Sequence, residues 1–282
     1  MPRPDFRQIA ADTRLYNFHG HTQYCDGRAT VAEFAAAAAA AGFRYYGFSP
    51  HAPIPVESSC NMSQADVDGY LADVAEARRC YGDRVNFYAG MEIDYLGPMW
   101  GPSHGYFRDL GLDYSIGSVH FIPTQDGRLV DIDGNFERFS DNMQRNFNGD
   151  IRYVVDTYFR QSLEMIEAGG FDILGHFDKV AHNASLWQPG IEDEPWYAEW
   201  INRMFEAISE SGLIVEVNTK SYVRHGRLFP SMRHLPRLLA SGATILVNSD
   251  AHDTRLINAS REYVFGLLDG ISISSRQLYA ET

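Results

Sequence analysis

The chain has 282 residues, 45% of them hydrophobic, which is enough to bury the core of one large α/β domain over residues 1–282. Acidic residues outnumber basic ones 37 to 24, and the formal charge of −13 argues against a surface made for nucleic-acid phosphates or anionic membranes. Cys25, Cys60 and Cys80 form no close pair, the amino-terminal stretch lacks the apolar core of a signal peptide, and no apolar run nears roughly 18 residues. A soluble, cytoplasmic protein is expected.

Seven apolar runs, rich in Val, Ile, Phe or Tyr and bounded by Gly, Pro, Asn or Asp, predict buried strands. The first is "RLYNFHGH". A helix follows it, opened by a capping box from Thr30 to Glu33, carried by Ala35 to Ala41 and ended by Gly42. "YYGFSPH", a helix over 64–81, "VNFYAGMEIDY" and "YSIGSVHF" come next. The polar stretch 123–150 is longer than an ordinary connection, and its Phe136, Phe139 and Phe147 predict a packed insertion or a lid. A helix over 152–168 leads to "FDILGHF". Trp196, Trp200, Ile201, Met204, Phe205 and Ile208 then mark an amphipathic helix by their spacing. "LIVEVNT", a short helix over 231–241 and "TILVNSDAH" complete the series. Strands alternating with helices predict a parallel sheet with right-handed crossovers, closed into a barrel rather than open.

His19 and His21 end the first strand, His51 the second, Glu92 the third, His120 the fourth, His176 the fifth, and Asp250 with His252 the seventh. In a parallel barrel all carboxyl ends open on one face, so these residues converge. Imidazoles and carboxylates gathered in that way ligate zinc, iron or manganese. Residues two apart on a strand, His19 with His21 and Asp250 with His252, point to the same side. A single His or Asp beside a strand is more often a hydrogen-bonded structural residue. Chance, however, gives no reason for eight of them to prefer one end of six strands. His104, His182, His225 and His234 lack that placement; His182 and His234 read as ordinary residues, while His225 lies near the mouth and could touch substrate.

Taken in order, "HGHTQYCDG", "GFSPHAP", "GMEIDY", "GSVHF", "LGHFD", "EVNT" and "NSDAH" resemble the polymerase-and-histidinol-phosphatase (PHP) superfamily, and are most similar to its histidinol-phosphatase branch. The resemblance implies a distorted (β/α)7 barrel holding two or three divalent metals. It would place one metal on His19, His21, Glu92 and Asp250. Glu92 would bridge to a second on His120 and His176, with a third on Asp26, His51 and His252. There is one departure: many relatives of this branch carry a histidine at the position matching Gly27, where this chain offers Asp26 one residue earlier. Asp26 is a ligand or a cap of that turn.

Such a cluster suits hydrolysis of a phosphate monoester such as L-histidinol phosphate, with a water held between two metals as the attacking hydroxide. Asp250 or His252 is placed to protonate the leaving alkoxide. There is no P-loop or G-x-S-x-G motif, and Cys25 reads as a small buried residue. Arg160, before the fifth strand, and Lys220, Arg224 and Arg227, after the sixth, are candidates for clamping phosphate, the alternative being a solvated basic loop. Asp94, Tyr95, Phe121 and Asp178 are candidates for the amine and imidazole of the substrate. Two other readings stay open, a PHP phosphoesterase or nuclease acting on another ester or nucleotide, and a non-catalytic metal-binding module. Oligomeric state is left undetermined.

Overall fold

The structure, a computed structural model, describes the backbone of residues 3–280 and the side chains of residues 3–273; the expected domain's residues 1–2 and 281–282 lie outside the described residues. The strands are β1 (Tyr16–Asn17), β2 (Tyr45–Phe48), β3 (Asn86–Asp94), β4 (Tyr114–Ser118), β5 (Phe121–Pro123), β6 (Leu129–Asp131), β7 (Ile173–Leu174), β8 (Ile214–Asn218) and β9 (Ile245–Asn248). Seven of them form one parallel sheet in the order β1-β2-β3-β4-β7-β8-β9, while β5 and β6 make a separate antiparallel hairpin. The seven are the seven expected from the sequence, in the same order.

Helices fill most crossovers. They are α1 (Phe6–Asp12), α2 (Val31–Ala40), α3 (Val67–Tyr81), α4 (Gly105–Asp109), α5 (Phe136–Asn146), α6 (Ile151–Ala168), α7 (Val180–Trp187), α8 (Pro195–Ser211), α9 (Tyr222–His225), α10 (Leu235–Ala240) and α11 (Arg261–Ala280). The capping box of α2 forms as the sequence predicts: Glu33 N donates to Thr30 Oγ1 at 3.1 Å and Thr30 N to Glu33 Oε2 at 2.8 Å. The helices expected over 64–81 and 231–241 each begin as a 3-10 turn before α3 and α10.

An aromatic floor fills the amino-terminal end of the barrel. The Phe6 ring of α1 lies 4.8 Å from Phe18 and 5.6 Å from Tyr114. Tyr114 OH donates to Phe18 O at 2.7 Å, and a Cβ on Gly47 or Gly90 would sit 2.3 or 2.4 Å from atoms of its side chain. Those two glycines make room for one tyrosine. Along β8 the residues Ile214, Glu216 and Asn218 share a face by the period of two, so the interior passes from apolar floor to polar mouth within one strand.

The seam between β1 and β9 departs from a regular ladder. Gly20 and Ala251 form one isolated bridge there, and asparagine side chains supply other bonds: Phe18 N donates to Asn248 Oδ1, and Ser249 N to Asn17 Oδ1, both at 2.9 Å. This substitution explains why the expected first strand shrinks to a two-residue ladder. Arg261, buried at the start of α11, also crosses the seam, donating to the carbonyls of Val247, Arg14 and Tyr16. Its guanidinium lies 5.2 Å from the Tyr16 ring and 5.3 Å from those of Phe43 and Phe265, which face its charge. Arg261→Met is expected to destabilise the fold by about 3 kcal/mol, because buried carbonyls lose their donors. Urea unfolding checks this, and a loss below about 1 kcal/mol would mean that the seam holds without the arginine.

The long stretch 123–150 becomes part of the β5–β6 hairpin, a loop and α5. Phe139 and Met143 are buried in α5, which packs against α7, and Phe147 is buried beside Tyr153 of α6, whereas Phe136 is exposed and stacks on Phe139. Ile132 N donates to His120 O at 2.9 Å, which ties the loop to a ligand-bearing strand end.

Candidate metal centre

Glu92, 1% exposed near the end of β3, is the hub of the strand ends. Its Oε2 lies 3.1 Å from His51 Nδ1, 3.2 Å from His19 Nε2 and 3.5 Å from His21 Nε2. Its Oε1 lies 2.8 Å from His176 Nε2 and 3.5 Å from His120 Nε2, and accepts from Ser118 Oγ at 2.7 Å. Asp250 joins from β9, with Oδ1 3.0 Å from His21 Nε2 and 3.8 Å from His19 Nε2. Asp250 has a φ of +48°, a left-handed conformation that is rare for a non-glycine residue.

Two carboxylates that sequence reasoning did not recognise as supports sit behind these rings. His19 Nδ1 donates to Glu216 Oε1 at 2.7 Å, and His120 Nδ1 to Asp94 Oδ1 at 2.8 Å. Asp94, expected to meet substrate, is therefore engaged by a ring; its Oδ2 also accepts from Asn61. The signal for Glu216 was present, a single acid inside the apolar run "LIVEVNT". A carboxylate on Nδ1 fixes the tautomer, so Nε2 presents a lone pair inward.

The residues fit a metal. Nε2 of His19, His21 and His120 are buried with no hydrogen-bond partner, and all three face Glu92. Three ligand groups meet at this hub: His19, His21 and Glu92; His51, Glu92 and His120; His19, His176 and Asp250. Without metal, protons take that role. Burial pulls the His120 pKa down, but Asp94 and Glu92 outweigh it and hold the ring at about 9. Burial would raise the Glu92 carboxyl, yet His19, His120 and His51 hold it well below the usual carboxylate range.

A fourth group lies beside the hub and comprises His21, Asp26, His51 and His252. Asp26 Oδ1 is 3.2 Å from His252 Nε2, 3.7 Å from His21 Nδ1 and 3.9 Å from His51 Nε2. His51 thus presents one ring nitrogen to each side, a division that the resemblance did not imply. A Cβ on Gly27 would lie 2.4 Å from the backbone of His21 and Thr22, so this turn has no room for a side chain at 27. Gly27→His is accordingly expected to destabilise the protein by about 2 kcal/mol or more without adding a bound metal. Thermal melting with elemental analysis checks it; an undisturbed fold with one extra ion would contradict it. Cys25 is a half-buried thiol, not a fully buried one, pushed up to about 12, mainly by desolvation, and lies 3.5 Å from His21 Nδ1. It carries no thiolate near neutral pH.

Of the expected substrate-side cations, Lys220 reaches the cluster, with Nζ 3.3 Å from Asp250 Oδ1 and 3.2 Å from His252 Nε2. Among the described residues, Arg224 is exposed on α9 without an ion pair, and Arg160 is exposed on α6 with one bond, to Thr157. Arg227 does not stand free: both of its Nη atoms are held by Glu192, at 2.8 and 2.9 Å. The His225 ring lies 4.7 Å from that of His182, tilted by 47°, in a depression of about 370 Å³ that Arg227 also lines. Asp178 is fully buried, accepts from Ser231 N at 2.8 Å and is pushed up to about 7 by burial, so it is not an open carboxylate at the mouth. Tyr95 and Phe121 are buried as well, with their carbonyls bound by Gln161.

A closed set of parallel strands with imidazoles and carboxylates at their carboxyl ends defines a barrel protein with a metal-binding centre. The chain belongs to the PHP domain family, whose pattern it matches over residues 17–220. It is 26% identical over 256 residues to the histidinol-phosphatase of Bacillus subtilis (strain 168), across 83% of this chain and 92% of that one. Its fold is similar to that of a candidate histidinol phosphatase of Listeria monocytogenes, with a TM-score of 0.78, 19% identity and coverage of 88% of this chain and 99% of that one. It is similar also to the histidinol phosphate phosphatase of Lactococcus lactis subsp. lactis in complex with zinc, L-histidinol and phosphate, with a TM-score of 0.68, 17% identity and coverage of 91% and 93%.

Proposed function

We propose that this chain is a phosphoric monoester hydrolase that converts L-histidinol phosphate to L-histidinol and inorganic phosphate, with two or three divalent ions of zinc, iron or manganese in the centre. The observation that carries the reading is Glu92, placed within 3.5 Å of five imidazoles, three of which turn buried, unpartnered Nε2 atoms toward it. The names of the relatives supply the substrate. Divalent metals at such a centre supply Lewis acidity and an activated water at neutral pH.

The protein's own residues do the rest. Glu216 and Asp94 hold His19 and His120 in one tautomer and orientation. His21, His51, His176, Asp26 and Asp250 complete the ligand sets, with Glu92 shared between two of the four. Asp250 or His252 returns a proton to the leaving alkoxide, and Lys220, in contact with both, holds a charge beside that position. Arg224 and Arg160, exposed and without an ion pair among the described residues, are candidates for the phosphoryl group. The charge of −13 speaks against nucleic acid as substrate, and no helix among the described residues is long and apolar enough to cross a membrane. Free cysteines fit the cytoplasm.

The test is metal-replete protein assayed on histidinol phosphate, p-nitrophenyl phosphate, nucleotides and a single-stranded oligonucleotide. At least roughly 100-fold higher kcat/KM on histidinol phosphate is expected. A preference for any of the others overturns the substrate.

A further inference from the structure

Lys179 and Lys220 are the only lysines in the chain, and both lie against the metal centre although arginine serves every other basic position. Lys220 is the one legible from sequence. Lys179 sits one turn beyond His176, whose carbonyl accepts from Lys179 N at 2.9 Å. Its Nζ lies 2.9 Å from Asp133 Oδ2, and the two side chains are 12% and 29% exposed.

Asp133 comes from the insertion and is held firmly. Ile132 N donates to His120 O at 2.9 Å, Asp133 N donates to Asp131 Oδ1 at 2.8 Å, and Asn183 Nδ2 donates to Gly134 O at 3.0 Å. The pair therefore flanks His120 on one side and His176 on the other. Each of the other carboxylates at the centre is engaged: Glu92, Asp26 and Asp250 by the ligand rings, Asp94 by His120, Glu216 by His19, and Asp178 by burial. Asp133 lies outside the ligand groups, is 29% exposed and, among the described residues, is bound through only one oxygen of its side chain.

We propose that Asp133 and Lys179 read the substrate as an aminoalkyl phosphate, with Asp133 taking the ammonium group and Lys179 a phosphoryl oxygen. This rests on the phosphatase reading above and deepens it. An ester with an ammonium two carbons from its ester oxygen carries opposite charges a few ångströms apart, and a preformed ion pair meets it with the reverse pattern. Each partner of the pair then meets the opposite charge on the substrate, so neither is left uncompensated when substrate binds. A rigid insertion suits this role, because it sets the carboxylate before binding.

The test compares histidinol phosphate with its deamino analogue, 3-(imidazol-4-yl)propyl phosphate, which differs in the ammonium group alone. In Asp133→Asn the ratio of kcat/KM, amine over deamino, is expected to fall about 10- to 100-fold, and Asp133→Glu should keep it within about threefold of wild type. A purely structural role would lower both esters together. A ratio unchanged by Asp133→Asn overturns the proposal, and so does wild-type protein that cleaves both esters equally, which needs no variant to fold. A second pair, 2-aminopropyl and propyl phosphate, separates the two readings. Wild type that prefers 2-aminopropyl phosphate to histidinol phosphate sinks the histidinol assignment, while the ammonium ratio still decides the role of Asp133.

Discussion

Glu92→Gln is expected to lower kcat/KM on phosphate esters by on the order of 10³-fold or more and to remove bound metal, while the protein remains folded. The substitution preserves volume but replaces one acceptor oxygen with an amide that donates. Each Glu92 oxygen now faces at least two imidazole nitrogens, Oε1 those of His176 and His120, Oε2 those of His51, His19 and His21. An amide on either side points hydrogens at nitrogens whose lone pairs must face an ion. The charge lost is also the one shared by two of the four ligand groups. Glu216→Gln should be milder, roughly 10- to 100-fold in metal affinity, since it disturbs the orientation of His19 without removing a ligand. Elemental analysis with steady-state kinetics measures both, and Glu92→Gln with full metal and near-normal turnover would contradict the assignment of the hub.

Removal of metal is expected to make the stability of the protein sensitive to alkali. In the metal-free protein His120 titrates at about 9, against 6.5 for an unfolded histidine, because Asp94 and Glu92 overcome its burial. Between those values the folded state keeps a proton that the unfolded state has released, so stability falls as pH rises through that window. The stabilisation is complete below pH 6.5 and lost above about 9, a difference of about 3 kcal/mol from His120. His19, raised by Glu216, Asp250 and Glu92 against its burial, acts in the same direction. Glu92 and Asp250, both held low, act at the other end: their contribution is present above the usual carboxylate pKa and lost as pH falls below it. Bound ions take the place of the protons, so metal-loaded protein should melt at nearly the same temperature at pH 7 and pH 10 while chelated protein melts lower at pH 10. Parallel melting of the two forms across that range would count against ions occupying these nitrogens.

The strand ends were legible because strand period and ligand chemistry coincide there. His19, His21, His51, Glu92, His120, His176, Asp250 and His252 announce themselves as polar residues closing apolar runs, and barrel topology then gathers them. What lies one layer behind carries a fainter mark. Glu216 is inside its strand, where an acid looks like an interruption until the rings it supports are in place. Arg227 looked free because its partner, Glu192, is 35 residues away and nothing local marks the pair. Asp133 and Lys179 come from an insertion and from the turn after β7, and their meeting depends on how α5 and the hairpin pack. The seam was hidden for a similar reason: Asn17, Asn248 and Arg261 replace a ladder with side-chain bonds that no periodicity encodes.

The most direct test of the account is the metal content of the purified protein, measured together with its turnover of histidinol phosphate before chelation, after chelation and after zinc or manganese is returned. Two or three divalent ions per chain, with turnover lost on their removal and recovered on their return, is the predicted result. Undiminished hydrolysis of histidinol phosphate by the metal-free protein would contradict it.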